Sequence, residues 1–229
     1  MPEHISAVAS AGVDEYLEAI FKLSGGEEPV SVPTLAGHLT VTPVSANEMV
    51  RKLAERGLAV YEPYRGVSLT KEGRLQALSV VRRHRLWERF LADVLHIPWD
   101  RIHEDACRLE HATSPLVEER LALFLEAPDS CPHGYAMPTA DGHLAPEGAL
   151  TIADLEPGQE ATVIRVPEED AALLRYLDTL GLRPGRTLQV IAAEPFNGPV
   201  TIQVGGASRP IARELAGRIY VRPLEGQGG

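Results

Sequence analysis

Between residues 128 and 148 the chain changes character, and no other feature constrains the fold as strongly. Upstream of it apolar residues recur at the spacing of helices. Downstream they fall in short runs suited to strands. The intervening stretch CPHGYAMPTADGHLAPEG carries Pro132, Pro138 and Pro146 with Gly134, Gly142 and Gly148. That density of helix and strand breakers reads as a linker. The expectation is an α+β protein: a helical N-terminal part, a linker, and a small C-terminal β domain.

The helical part divides further. Residues 13–23 (VDEYLEAIFKL) place Val13, Leu17, Ile20 and Phe21 on one helical face, with Gly25 and Gly26 as the stop. Residues 32–39 read as a short helix. After a break, Thr42 and Pro43 supply an N-cap and a first-turn proline for a helix that stops at Gly57. Two short apolar runs then flank Pro63 to Gly66, a hairpin signal. Thr70 caps a long helix expected over residues 71–95. Asp100 is expected to cap another that ends near Thr113, and Ser114-Pro115 to start a third that Pro128 ends. Beyond the linker, strands are expected at 160–166, 187–192, 200–204 and 218–221, with a helix at 171–180 and a tight turn at Gly181 to Gly185. Strands this short suggest a small barrel.

Helix, sharp turn, helix and hairpin is the order of a winged helix-turn-helix. The second helix would enter the major groove. Thr42, Pro43, Val44, Ser45, Asn47 and Glu48 lie on its first turns. Asn and Ser can bond base edges, Val44 can meet a thymine methyl, and Glu48 can accept from a cytosine amino group. Arg51, Lys52 and the hairpin-tip Arg65 are placed for phosphates. The net charge of −10 at first opposes nucleic acid as a partner. Its distribution removes the objection: residues 40–90 hold ten basic side chains against five acidic, so the acidic excess lies elsewhere.

Two consecutive helices carry metal-competent side chains. In residues 101–113 (RIHEDACRLEHAT), His103, Cys107, Glu110 and His111 fall within one helical arc, beside an apolar stripe of Ile102, Ala106 and Leu109. On the preceding helix His84 and Glu88 are spaced i, i+4 and can ligate one ion together. Nitrogen, oxygen and sulfur donors in this mixture suit a first-row divalent ion. Cys131 and His133 stand in the linker and read as a packing residue and a loop residue. Two cysteines are too few for a disulfide framework, and no apolar run or leader-like N-terminus is present, so a cytoplasmic protein with no membrane segment is expected.

The segments VDEYLEAIFKL, TPVSANEMVRKLAERGL, YEPYRGVSLTKEG, RRHRLWERFL and HEDACRLEHATS, in this order and separation, resemble the diphtheria-toxin-repressor family of iron- and manganese-dependent regulators. The CPHG linker is similar too, and the C-terminal segment resembles that family's SH3-like domain. The resemblance implies a winged helix-turn-helix domain over residues 1–72, a helical dimerisation and metal-binding domain over 73–130, a linker over 131–149 and an SH3-like β-barrel over 150–229. It implies a homodimer on a palindromic double-stranded operator, chiefly repressing metal-uptake genes.

The resemblance also implies two metal sites. A regulatory site would use Cys107, Glu110 and His111, completed by Glu15 on the first helix. An ancillary site would use His84, Glu88 and His103, with acidic help from Asp170 or its neighbours Glu168 and Glu169. The iron branch of the family carries Met where Glu15 stands. The manganese branch carries carboxylates at the positions of Glu15 and Glu18, and another where this chain keeps Cys107. In that branch His84 can join the regulatory cluster, so its assignment stays open. Carboxylate oxygen favours Mn²⁺ and thiolate favours softer ions. Mn²⁺ is the expected cofactor, with Fe²⁺ next. An enzyme is not expected: there is no HExxH and no Gly-rich phosphate loop. The alternative is a metal-binding storage or carrier protein without metal-dependent operator binding.

Overall fold

The computed structural model describes residues 3–24, 28–145, 150–167 and 170–224, with side chains from residue 12 onward. The chain forms two compact units. The first comprises Met1–His84, Glu110–Thr113 and Pro138–Leu144. The second comprises Arg85–Leu109, Ser114–Met137 and Ala145–Gly229.

The first unit opens with α1, Glu3–Leu23, which begins ten residues before the apolar periodicity does. The stop expected at Gly25-Gly26 lies outside the described residues. Helix α2, Val32–His38, is capped by Ser31, whose hydroxyl accepts from Thr34 N at 3.2 Å. Helix α3, Pro43–Glu55, is capped by Thr42, which accepts from Ser45 N at 3.1 Å. Each such cap is worth about 1 kcal/mol. Leu35, Ala36, Ala46, Val50 and Leu53 face inward, joining Val13, Leu17 and Ile20 of α1 in one core. Strands β1, Ala59–Glu62, and β2, Gly66–Leu69, pair antiparallel with Glu62 opposite Gly66. Val30 bridges to Val67 and seats this wing against the core.

Helix α4, Lys71–Arg89, continues as a π-helical segment, Phe90–Val94. Helix α5 is His103–Ala112 and α6 is Pro115–Phe124. The cap expected from Asp100 is not made. The helix starts three residues later, and Asp100 instead pairs with Arg175 at 3.1 Å. Within the second unit Leu86, Leu121, Ala122 and Met137 form one small core and Leu91, Ile102 and Ala106 another.

The C-terminal part contains β3, Glu160–Arg165; α7, Ala171–Leu180; β4, Thr187–Ala193; β5, Val200–Val204; β6, Ala207–Ile211; α8, Arg213–Ala216; and β7, Tyr220–Pro223. The strands form one antiparallel sheet in the order β6-β5-β4-β3-β7. The SH3-like domain is therefore present, but the barrel expected from the strand lengths is open: among the described residues no pairing joins β6 to β7. Alternating inward residues such as Ala161, Val163, Leu188, Val190, Val200 and Ile202 fill its core with Leu174 and Leu177 of α7. No helix among the described residues is long and apolar enough to cross a membrane.

Candidate functional site

Three helices of the first unit bring Glu18, His84 and Glu110 together, one donor atom of each lying within 4.8 Å of the others. Burial is nearly complete: His84 is 2% and Glu110 1% exposed. Glu18 sits on the inward face of α1 because it lies one position from Leu17 and two from Ile20, both wholly buried. His84 Nδ1 meets Glu110 Oε2 at 2.7 Å, and His111 Nε2 lies 3.4 Å from Glu110 Oε1. Burial pushes the Glu110 carboxyl above its ordinary range. The His84 hydrogen bond opposes that shift and the Glu18 charge adds to it. The buried Glu18, His84 and Glu110, with the partly exposed His111 beside them, form a candidate donor set for a divalent cation, which would relieve the repulsion between Glu18 and Glu110.

Glu15, expected to complete the regulatory site, is exposed one turn before Glu18 on α1. Cys107, three residues before Glu110 on α5, falls in the second unit, where its Sγ lies 3.7 Å from His103 Nε2.

A second cluster lies wholly within the second unit. Glu88, Cys131 and His133 each present a donor atom within 4.8 Å of the others, at 0%, 1% and 0% exposure. His133 Nδ1 stands 3.5 Å from Glu88 Oε1 and 4.0 Å from Cys131 Sγ, and His103 Nδ1 lies 3.9 Å from Glu88 Oε1. The opposite ring nitrogen, His133 Nε2, donates to the carbonyl of Trp99 at 3.0 Å. A carbonyl can only accept, so Nε2 carries a proton, and Nδ1 faces Glu88 and Cys131. Metal-binding histidines characteristically donate their other ring nitrogen in this way.

The linker shapes this cluster through a tight turn. Cys131 N donates to Tyr135 O at 2.9 Å and Gly134 N to Cys131 O at 3.0 Å. Val166 N donates to His133 O at 3.0 Å, and Trp99 stacks on the His133 ring at 5.6 Å. Cys131 and His133, which the sequence presents as packing and loop residues, thus join Glu88. The Cys-x-His spacing beside a proline was the available signal, but it lacked a third donor nearby in sequence. Asp170 uses its side chain to cap α7, accepting from Ala172 N at 2.7 Å and Leu173 N at 3.3 Å. Its neighbours Glu168 and Glu169 lie outside the described residues.

On α3, Thr42, Pro43, Ser45, Glu48, Arg51 and Lys52 are exposed, and Val44 is 70% exposed. Asn47 is half-buried. At the wing, Arg65 pairs with Glu62 at 3.1 Å. Arg65 N also donates to Glu62 O at 3.1 Å, closing a turn with Pro63 second and Tyr64 third. Tyr64 has φ of 68° and its ring is fully exposed. The third position of such a type II turn normally takes Gly. Sequence reasoning passed over this residue.

A winged helix-turn-helix accompanied by buried mixed-donor clusters defines a class, the metal-responsive DNA-binding regulators. Comparison with known proteins narrows it. Residues 10–67 match the N-terminal DNA binding domain of the iron dependent repressors, residues 70–139 their metal binding and dimerisation domain, and residues 150–223 the FeoA domain. The iron-dependent repressor IdeR of Mycobacterium tuberculosis is 32% identical over 222 residues, covering 91% of this chain and 96% of the relative. The diphtheria toxin repressor of Corynebacterium glutamicum is 30% identical over 224 residues, covering 92% and 96%. A manganese-dependent transcriptional repressor in complex with manganese superposes with a TM-score of 0.85 at 34% identity, covering 93% of this chain and 100% of that one. The repressor ScaR with bound Zn²⁺ superposes at 0.80 with 29% identity, covering 93% and 99%. The chain belongs to the diphtheria-toxin-repressor family of metal-dependent transcriptional repressors, whose members are not enzymes.

Proposed function

We propose that this protein is a homodimeric, Mn²⁺-preferring repressor that binds a palindromic operator and lowers transcription of metal-uptake genes in the cytoplasm, with Fe²⁺ as the next candidate ion. The observation that carries the reading is the Glu18–His84–Glu110 cluster, in which a carboxylate of α1 meets donors from α4 and α5. Four donors would come from Glu18, His84, Glu110 and His111. Hard oxygen and imidazole suit Mn²⁺, and no thiolate is needed at this centre. Glu15, one turn away on the exposed face, is the reserve carboxylate, and His103 stands 3.9 Å from Glu88.

The second centre would use Glu88, Cys131 and His133, with His103 as an additional nitrogen. Its thiol favours a softer or tighter-binding ion, so the two centres need not share an affinity order. The assembled ion supplies charge neutralisation and a fixed geometry. Around it, Glu18 ties the helix that precedes the helix-turn-helix to α4 and α5. This selects one placement of the recognition helix α3. Operator DNA, which binds that same placement, must in return tighten metal binding.

Dimerisation is supported by α6, where Leu116, Leu123 and Phe124 leave 61%, 62% and 63% of their surface exposed. Leu116, Arg120, Leu123 and Phe124 recur at i, i+4, i+7 and i+8, so the exposed apolar atoms share a face. Two recognition helices related by a twofold axis would meet two half-sites of a palindrome.

The test is a DNA-binding titration on the protein's own upstream region with Mn²⁺, Fe²⁺, Zn²⁺ or a chelator. Mn²⁺ is expected to give the largest gain in affinity. Equal binding with chelator and with Mn²⁺ would favour the storage or carrier alternative.

A further inference from the structure

One residue before His84 on α4, Arg83 reaches two other helices at once. Its Nε donates to the backbone carbonyl of Glu110 on α5 at 3.2 Å. Its Nη2 lies 3.7 Å from Asp14 Oδ2 on α1, and its Nη1 donates to Ser79 at 2.9 Å. The second oxygen of Asp14 accepts from Gln76 Nε2 at 2.8 Å. Gln76 and Arg83 are seven residues apart on α4, two helical turns, so they share a face and hold one carboxylate between them. The side chains of Arg83 and Asp14 are only 17% and 13% exposed.

These contacts join the same three helices that supply Glu18, His84 and Glu110. Yet they use no donor of that cluster: an arginine and a backbone carbonyl stand on one side, and both oxygens of Asp14 are engaged on the other. Asp14 lies one turn before Glu18, so fixing it also fixes where Glu18 points. Accepting the Arg83 guanidinium likewise fixes the last turn of α5, where the Glu110 side chain leaves the helix.

We propose that Asp14 and Arg83 are positioning residues that form a metal-independent clamp, pre-aligning Glu18 and Glu110 for one ion. The proposal rests on the reading of Glu18–His84–Glu110 as a metal centre. Without the clamp, an incoming cation must spend binding energy on ordering α1 against α4 and α5 and on gathering two buried carboxylates. With it, that ordering is already in place, and metal affinity rises.

Plain electrostatics makes a different forecast, which renders the idea testable. Acting through space alone, removing the Asp14 charge weakens binding of a cation, and removing the Arg83 charge strengthens it. The clamp requires both losses to weaken it. The experiment is a Mn²⁺ titration of the full chain by electron paramagnetic resonance, for wild type, Asp14→Asn, Arg83→Gln and Arg83→Lys. The Glu110→Gln variant identifies which binding step belongs to this centre. Amide hydrogen exchange of α1 is followed in chelator on the same proteins.

The expected result is an unchanged number of bound ions and about tenfold weaker affinity at the centre in Asp14→Asn and in Arg83→Gln. Arg83→Lys, which keeps the charge but cannot serve both partners, is also weakened. Exchange of α1 amides in chelator is faster in all three. Tighter or unchanged Mn²⁺ binding by Arg83→Gln, or unchanged α1 exchange, overturns the clamp. If Glu110→Gln leaves every Mn²⁺ step intact, the metal-centre reading fails on its own, and the exchange data still decide whether the helices are clamped.

Discussion

His133 gives its Nε2 proton to the carbonyl oxygen of Trp99 across 3.0 Å, and this contact turns Nδ1 toward Glu88 and Cys131. The Nδ1 edge of the ring is thereby aimed at the other two donors before any ion arrives. Replacing Cys131 with Ala should remove one bound ion per chain and leave the Glu18–His84–Glu110 step in place. With Co²⁺ as a probe, the wild type should show a thiolate-to-cobalt charge-transfer band in the near ultraviolet that Cys131→Ser lacks. A band that persists in Cys131→Ser would assign the sulfur to Cys107 instead.

Glu110 makes a pH prediction whose sign follows from its surroundings. Burial raises its folded-state pKa above the ordinary 4.5. Between those two values the folded chain holds a proton that the unfolded chain has lost, so stability falls as pH rises through that window. In chelator, thermal unfolding of the wild type should therefore shift to lower temperature on moving upward from about pH 4.5, and Glu110→Gln should flatten the trend. Mn²⁺ needs the deprotonated carboxylate, so the stabilisation it confers should grow over the same range. A wild-type slope identical to that of Glu110→Gln would sink this assignment.

Removing ligands should separate function from folding. Glu110→Ala or His111→Ala is expected to abolish Mn²⁺-stimulated operator binding while the protein still sediments as a dimer. If either variant retains a full Mn²⁺ response, that side chain is not part of the switch.

Tyr64 tests the wing. A side chain other than Gly in the left-handed region costs about 1 kcal/mol, and the Tyr64 ring is fully exposed in the described structure. Its presence beside Arg65 makes sense if the ring meets DNA. Tyr64→Gly should therefore unfold at the same temperature as wild type or slightly higher. Its operator affinity should fall by about 1 kcal/mol, roughly fivefold. Wild-type DNA affinity in Tyr64→Gly would rule out the contact.

The α6 face predicts assembly. Leu123→Glu places a charge among Leu116 and Phe124, which would be desolvated in a dimer. Sedimentation should show a shift toward monomer at micromolar concentration with an unchanged helical spectrum. A dimer as tight as wild type would move the interface elsewhere.

Much of the helical half could be read directly from the residues. Thr42 and Ser114 each stand directly before a proline and each caps the helix that follows, because cap and proline act locally. Asp100 looked like another cap, but a partner 75 residues away, Arg175, holds it instead. The open sheet was not foreseeable for a similar reason. The apolar runs mark four of the five strands and miss β6, and closure depends on whether β6 and β7 meet. Candidate donors stand out in the sequence where metal-competent side chains recur on helices, as with His84, Glu110 and His111. Their grouping does not. Whether Glu15 or Glu18 faces inward depends on how α1 rotates on its core, and Leu17 and Ile20 decide that in favour of Glu18. Cys131 and His133 sit more than forty positions from Glu88, and only the turn of the linker brings them to it.

Gly134 contributes no donor, yet it limits how the second cluster could be moved. It has φ of 93°, and a Cβ there would fall 1.9 Å from the carbonyl oxygen of Ile164 on β3. The turn bearing Cys131 and His133 therefore fits only against a strand that allows backbone to touch backbone. Grafting Glu88, Cys131 and His133 onto another helical scaffold would transfer the ligands without the surface that bends them into place. The smallest portable version of this centre includes a piece of the C-terminal sheet. A truncation that deletes the sheet should be judged as a deletion of the centre as well.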